Sequence, residues 1–145
     1  MRGVVVMRNL LPFALSALLA APALAAPSQS EVNDTLRGDA EIYNGLFAMA
    51  VGDQIRKNCD SIDARMVRAI AFARSLERRA RNMGFSEPQI RAFLDSQDEK
   101  DRMRAHVLRY FAQQGVVEGQ PETYCALGRA EIARGSQTGA LLRAR

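Results

Sequence analysis

Residues 84–99 read GFSEPQIRAFLDSQDE, and two helices declare their starts within them. Ser86 and Gln89 have the spacing of a capping box: the serine hydroxyl accepts from the backbone N–H three residues on, and the glutamine reaches back to the serine N–H. Phe85 and Ile90 hold the flanking staple positions, and Pro88 falls in the first turn, where its missing N–H removes no helical bond. Ser96 with Glu99 repeats the box. The acidic group Asp95, Asp98, Glu99 and Asp101 gathers at that second start, where the helix macrodipole favours negative charge. The pattern predicts a short helix from Glu87 burying Ile90, Phe93 and Leu94. A longer one follows with Met103, Val107, Tyr110 and Phe111 inward, ended by Gly115.

The same reading extends in both directions. From Ala40 to Asn58, Tyr43, Phe47, Val51 and Ile55 recur every fourth residue, Leu46 and Ala50 widen the stripe, and one further step lands on Cys59. Gly45 within this stripe costs up to about 1 kcal/mol of helix propensity, so either it permits close packing or the helix starts later than Ala40. Asp60 or Ser61 then caps a second helix to Met83, with the stripe Ile62, Met66, Ile70, Ala73, Leu76, Ala80 and Met83, and Gly84 as its stop. Beyond Gly115, Pro121 and Glu122 open a fifth helix carrying Tyr124, Cys125, Leu127, Gly128 and Ile132 as far as Gly135, and the tail from Ser136 adds a turn around Leu141 and Leu142. No segment alternates as a half-buried strand does. The expected fold is all-α: a small bundle of about five helices, with one disulfide linking the first and the fifth.

Domain organisation follows from the first residues. Arg2 and Arg8 precede an uncharged run from Leu10 to Ala26, broken by Pro12, Ser16 and Pro22, and Ala23 and Ala25 supply the small residues of a cleavage site. Residues 1–25 therefore read as a signal peptide cut after Ala25, with Met7 as an alternative start and an uncleaved anchor as the competing reading. Residues 26–38, with only Val32 and Leu36 as large apolar side chains, read as a flexible leader, and 39–145 as a single helical domain. Loss of Arg2 and Arg8 takes the net charge from +4 to +2, which is weak footing for nucleic-acid binding. Cys59 and Cys125 both remain in the mature chain, and a periplasmic or secreted location makes one disulfide the economical pairing. Free thiols or a redox pair are the alternative, although there is no Cys-x-x-Cys motif.

Two cysteines and one histidine exclude zinc clusters, haem attachment and ferredoxin-type sites, so no metal or cofactor is expected. His106 has no second histidine and no Gly-x-Ser-x-Gly motif to work with, and it reads as a border residue of its helix. Glu131 is the carboxylate closest to an apolar face, and an ion pair with an arginine is its plainer role. No catalytic residue is assigned. The second helix carries Arg65, Arg68, Arg74, Arg78, Arg79 and Arg81 against Asp63 and Glu77 alone. Arg74, Arg78 and Arg81, spaced by four and three, form a candidate anion site, since the guanidinium fork binds phosphates and carboxylates bidentately. A solvated face neutralised by neighbouring acids is the competing reading.

Three stretches carry a resemblance: Tyr43-Asn44-Gly45-Leu46-Phe47, Gln54-Ile55-Arg56-Lys57-Asn58-Cys59, and the run from Pro121 through Tyr124-Cys125-Ala126-Leu127-Gly128-Arg129 to Gln137. Together they resemble a family of short exported alphaproteobacterial proteins known only as a domain of unknown function. The resemblance implies periplasmic residence and a helical disulfide domain, and brings no activity or catalytic residue. Some similar members are encoded near respiratory complex I subunits. Two cysteines do not make the four-thiolate ligand set of a [2Fe–2S] subunit, so that link is one of neighbourhood. The functional expectation is a non-enzymatic interaction or accessory protein with an unknown protein or envelope partner. It has no nucleic-acid partner, and it touches the membrane only through the signal segment before cleavage. Binding of a small or lipidic anion by the arginine-rich helix is the alternative, and accessory service to complex I a more distant one.

Overall fold

The computed structural model describes residues 24–145, so the expected signal peptide lies outside the described residues except for its last two positions. Helix α1 (Gln29–Gly38) leads directly into α2 (Ala40–Asn58), the short strand β1 (Ile62–Ala64) and α3 (Met66–Asn82). Then come α4 (Glu87–Asp95), α5 (Gln97–Gln113), α6 (Pro121–Arg134), the single turn α7 (Gln137–Ala140) and strand β2 (Leu142–Ala144). α2 is the central element, with α1, α3, α5, α6 and α7 all packed on it.

Among the described residues seven helices replace the expected five, for two reasons. The supposed flexible leader is α1. Ser28 and Glu31 form a reciprocal capping box there, and Val32 and Leu36 are fully buried against Ile42, Ala80, Ile90 and Phe93. At the other end Ser136 accepts from the Gly139 N–H at 3.0 Å and nucleates α7. The disulfide is formed, with its Cα atoms 5.2 Å apart, but it joins the residue that closes α2, Cys59, to the sixth helix rather than linking the first and the fifth.

Residues 62–64, expected as helix, form strand β1 instead. They pair antiparallel with 142–144, Ile62 opposite Ala144 and Ala64 opposite Leu142. Ile62 and Leu142 turn into the main core beside Val51, Ile55, Phe111, Tyr124 and Leu127, while Arg145 grips Asp63 with two hydrogen bonds of 2.8 and 2.9 Å. Burial on one face and a charged clasp on the other favour the ladder over a helical turn. α3 therefore starts late and rotates its stripe. Leu76 and Ala80 are buried, but Met66 and Ile70 are 55% and 47% exposed. Leu94, expected inside, is 47% exposed as well, because α4 turns only Ile90 and Phe93 inward.

Gly45 has a visible purpose: a Cβ there would lie 2.8 Å from the Leu76 methyls, so its absence lets α3 approach α2. One turn farther along α3, Arg79 is pinned by Asp39. Its carboxylate accepts the Ile42 N–H at 3.0 Å as the cap of α2 and takes Arg79 in a two-bond fork at 2.8 and 2.9 Å. These bonds, that from Arg79 first, hold the Asp39 pKa below its ordinary 3.8. Because the folded value lies below the unfolded one, this contribution is complete above pH 3.8 and is lost as pH falls through the folded value. Asp39→Ala should lose about 1 kcal/mol or more at neutral pH through the cap alone. Asp39→Asn, which keeps a cap oxygen, should show a flatter fall of urea midpoint with acid than the wild type. An unchanged acid limb in Asp39→Asn would remove Asp39 from the account.

Candidate functional site

A groove of about 670 Å³ lies between α2 and α5, with Phe93 and Tyr124 also among its lining residues. α2 contributes Tyr43, Leu46 and Ala50; α5 contributes a line from Glu99 to Ala112, about 20 Å of helix at 1.5 Å per residue. Its lining is mainly apolar, through Met103, Val107 and Phe111, and Leu94 and Leu108 stand on it 47% and 59% exposed. Asp53, Lys100, Arg104 and Glu118 form a charged rim of mixed sign. An apolar trough with a polar edge is the usual form of a surface that receives another molecule.

Glu99 belongs to the wall of this groove. The Glu99 N–H donates to the Ser96 hydroxyl at 3.4 Å, as the expected box requires, but the carboxylate does not return to Ser96. It turns to Arg37 of α1, which pairs with one oxygen, while the buried second oxygen has no hydrogen-bond partner. The box is thus half used, and its free half ties α1 to α5.

Glu131 behaves as the plainer reading has it. The carboxylate is only 2% exposed, and one oxygen accepts from both the Tyr110 hydroxyl and Arg134. The other oxygen accepts from the Ser136 hydroxyl. Burial and the bond to Glu131 push the Tyr110 pKa up to about 12, so the phenol stays a donor at any physiological pH. Glu131 in turn raises the pKa of Arg134. This knot locks α5, α6 and the turn into α7, with its carboxylate enclosed. His106 lies flat against Phe47, the ring centres 4.2 Å apart and the planes 23° from parallel, with Tyr43 stacked beyond at 5.8 Å. It serves as an aromatic spacer between α5 and α2. Among the described residues no group of three or more His, Cys, Asp or Glu side chains is placed to hold a metal.

The arginines of α3 divide. Arg81 is held by Glu77 at 2.6 Å and approaches Glu87 at 3.4 Å. Arg74 and Arg78 are exposed and join no ion pair among the described residues. Arg79, which the sequence alone did not single out, is the structural arginine, reaching Asp39 and, at 2.7 Å, Glu41. No signal in α3 itself distinguished it, since its partners lie across the interface with α2.

The model of a family of unknown function, DUF5333, matches residues 34–143, which takes in α2 through α7 and both cysteines. The chain belongs to that family. The match ends within β2 and begins inside α1, so family membership and the described domain nearly coincide. Comparison with curated proteins and with solved structures returns no match. Among the described residues no helix is long and apolar enough to cross a membrane.

Proposed function

We propose that this protein is an exported, non-catalytic interaction protein that takes an apolar segment of an envelope partner into the groove between α2 and α5. One observation carries the reading: a mainly apolar trough nearly four turns of helix long is left open on a stapled domain, with Leu94 and Leu108 standing on it uncovered. The formed disulfide suits an oxidising compartment and supports export. The polar groups that sequence alone offers to chemistry are occupied structurally, Glu131 in a sealed knot and His106 in a stack.

A photo-crosslinking residue at Leu108 should trap a defined partner in native envelopes, and Leu94→Glu in the same chain should reduce the yield about tenfold or more. Both positions are exposed, so neither change threatens folding. Crosslinks that are diffuse, or that survive Leu94→Glu undiminished, would sink the groove as the working surface. Complex I subunits in the trapped band would turn the neighbourhood of related genes into a physical contact.

A further inference from the structure

The outward face of α3 is a second uncovered surface, distinct from the groove in both position and chemistry. At 100° per residue, Val67, Ile70, Ala71, Arg74, Arg78 and Arg81 fall on one side of the helix, opposite the buried Leu76. The first two turns of that side are apolar. Val67 is 85% exposed, and Met66 and Ile70 beside it are about half exposed. Around this tip stand Arg65, Arg68 and Arg143, and farther along come Arg74 and Arg78. Of these five guanidinium groups only Arg143 has an acidic neighbour among the described residues, Asp63 at 3.9 Å, and that carboxylate is already held by Arg145 at 2.8 Å. The first turn of α3 contains no acidic residue, so its N-terminal N–H dipoles add to the positive field.

We propose that this face is a membrane-surface anchor: the Met66–Val67–Ile70 tip enters the interface of an anionic bilayer, and Arg65, Arg68, Arg74 and Arg78 bind lipid phosphates around it. An exposed apolar tip bordered by arginines without a carboxylate partner, of which Arg68 also donates to the Ala140 carbonyl at 3.3 Å, is complementary to an acyl layer beneath an anionic headgroup layer. An acidic protein patch would satisfy the arginines but would leave Val67 and Ile70 in water. Single-stranded nucleic acid would want exposed aromatic rings to stack on, and the one aromatic of α3, Phe72, packs toward Gly45 of α2. The membrane contact therefore belongs to the folded domain and is additional to the one expected of the signal segment before cleavage.

The chain contains no tryptophan, so Val67→Trp supplies a lone reporter at the tip. With vesicles of phosphatidylcholine in which a third of the lipid is phosphatidylglycerol, the mature protein should co-sediment, and the Val67→Trp emission should shift to the blue. With phosphatidylcholine alone neither should occur, and salt should reverse the binding. Arg74→Gln with Arg78→Gln should weaken it about tenfold or more. Val67→Asp should weaken it about as much, and an acidic residue in the first turn of α3 supports that helix, so the loss would not reflect unfolding. Equal binding to both vesicle types, an unshifted Val67→Trp emission, or binding indifferent to Val67→Asp would overturn the anchor. Soluble polyglutamate displacing the vesicles while the emission stays unshifted would assign the face to an acidic protein instead. Because Leu108 lies in the groove, its crosslinking reports on the groove independently of either result.

Discussion

With Cys59 and Cys125 both changed to serine, the domain should lose about 4 kcal/mol of stability. The bond closes a long loop, its ends 66 residues apart, and the loop contains β1, α3, α4, α5 and the start of α6. In the chain-entropy account, releasing such a loop returns freedom to the unfolded ensemble and leaves the folded contacts where they are. Cys59 is fully buried in the main core, and Ser61 Oγ lies 3.3 Å from its sulfur, so a serine there has a hydroxyl to meet. A domain of this size has roughly 5–15 kcal/mol in all, so the variant should unfold at markedly lower urea. The wild type in reductant should match it. A midpoint that moves by less than the equivalent of about 1 kcal/mol in both cases would mean that the unfolded chain keeps the two ends together without the bond.

What the sequence discloses follows a physical line. Features set within one turn are legible: the Ser86–Gln89 box, Pro121 at the head of α6 and Gly135 in the left-handed conformation at its end all appear as read. The helical class and the cysteine pairing are legible too, because the periodicity is clear and two cysteines allow only one intramolecular pair. α1 was equally legible, since Ser28 and Glu31 have the spacing of the box recognised at Ser86. The small apolar content of that stretch hid it, although Val32 and Leu36 suffice when a second core forms over Ile42 and Ile90. The residues that escaped are those whose role is set by a partner remote in sequence. β1 exists because Leu142 and Arg145 return to it, and Arg79 differs from Arg78 only because Asp39 lies opposite. The groove and the basic tip of α3 are of the same kind. An exposed Leu108 and an exposed Val67 look like any other apolar positions until the neighbours that fail to cover them are known.

Gly139→Ala should be as damaging as a core truncation, at about 3 kcal/mol or more, although it adds one methyl group. A Cβ at this position would lie 2.0 Å from the carbonyl oxygen of Glu131, 2.3 Å from its carbon and 2.7 Å from the nitrogen of Ile132. All three are backbone atoms of α6, which no rotamer change can move aside. Relief therefore requires α7 to lift from α6. That movement breaks the Ser136 bond to Glu131, and it pulls the buried Thr138 off the Ala48 carbonyl, its acceptor at 3.3 Å. Leu141, Leu142 and the β2 pairing follow, since they hang from the same turn. Gly52→Ala is the informative contrast: the nearest atoms to its Cβ are side-chain carbons of Leu142 and Thr138 at 3.7 and 3.8 Å, ordinary contact distance. There the gain in helix propensity, up to about 1 kcal/mol, should appear as added stability. Urea unfolding of the two variants should move in opposite directions, and the 62–64 amides should exchange faster in Gly139→Ala alone. Wild-type stability in Gly139→Ala would show that α7 can leave α6 without loss. In that case the Glu131 knot would hold only α5 to α6, and the C-terminal strand would be an accessory to the core rather than part of it.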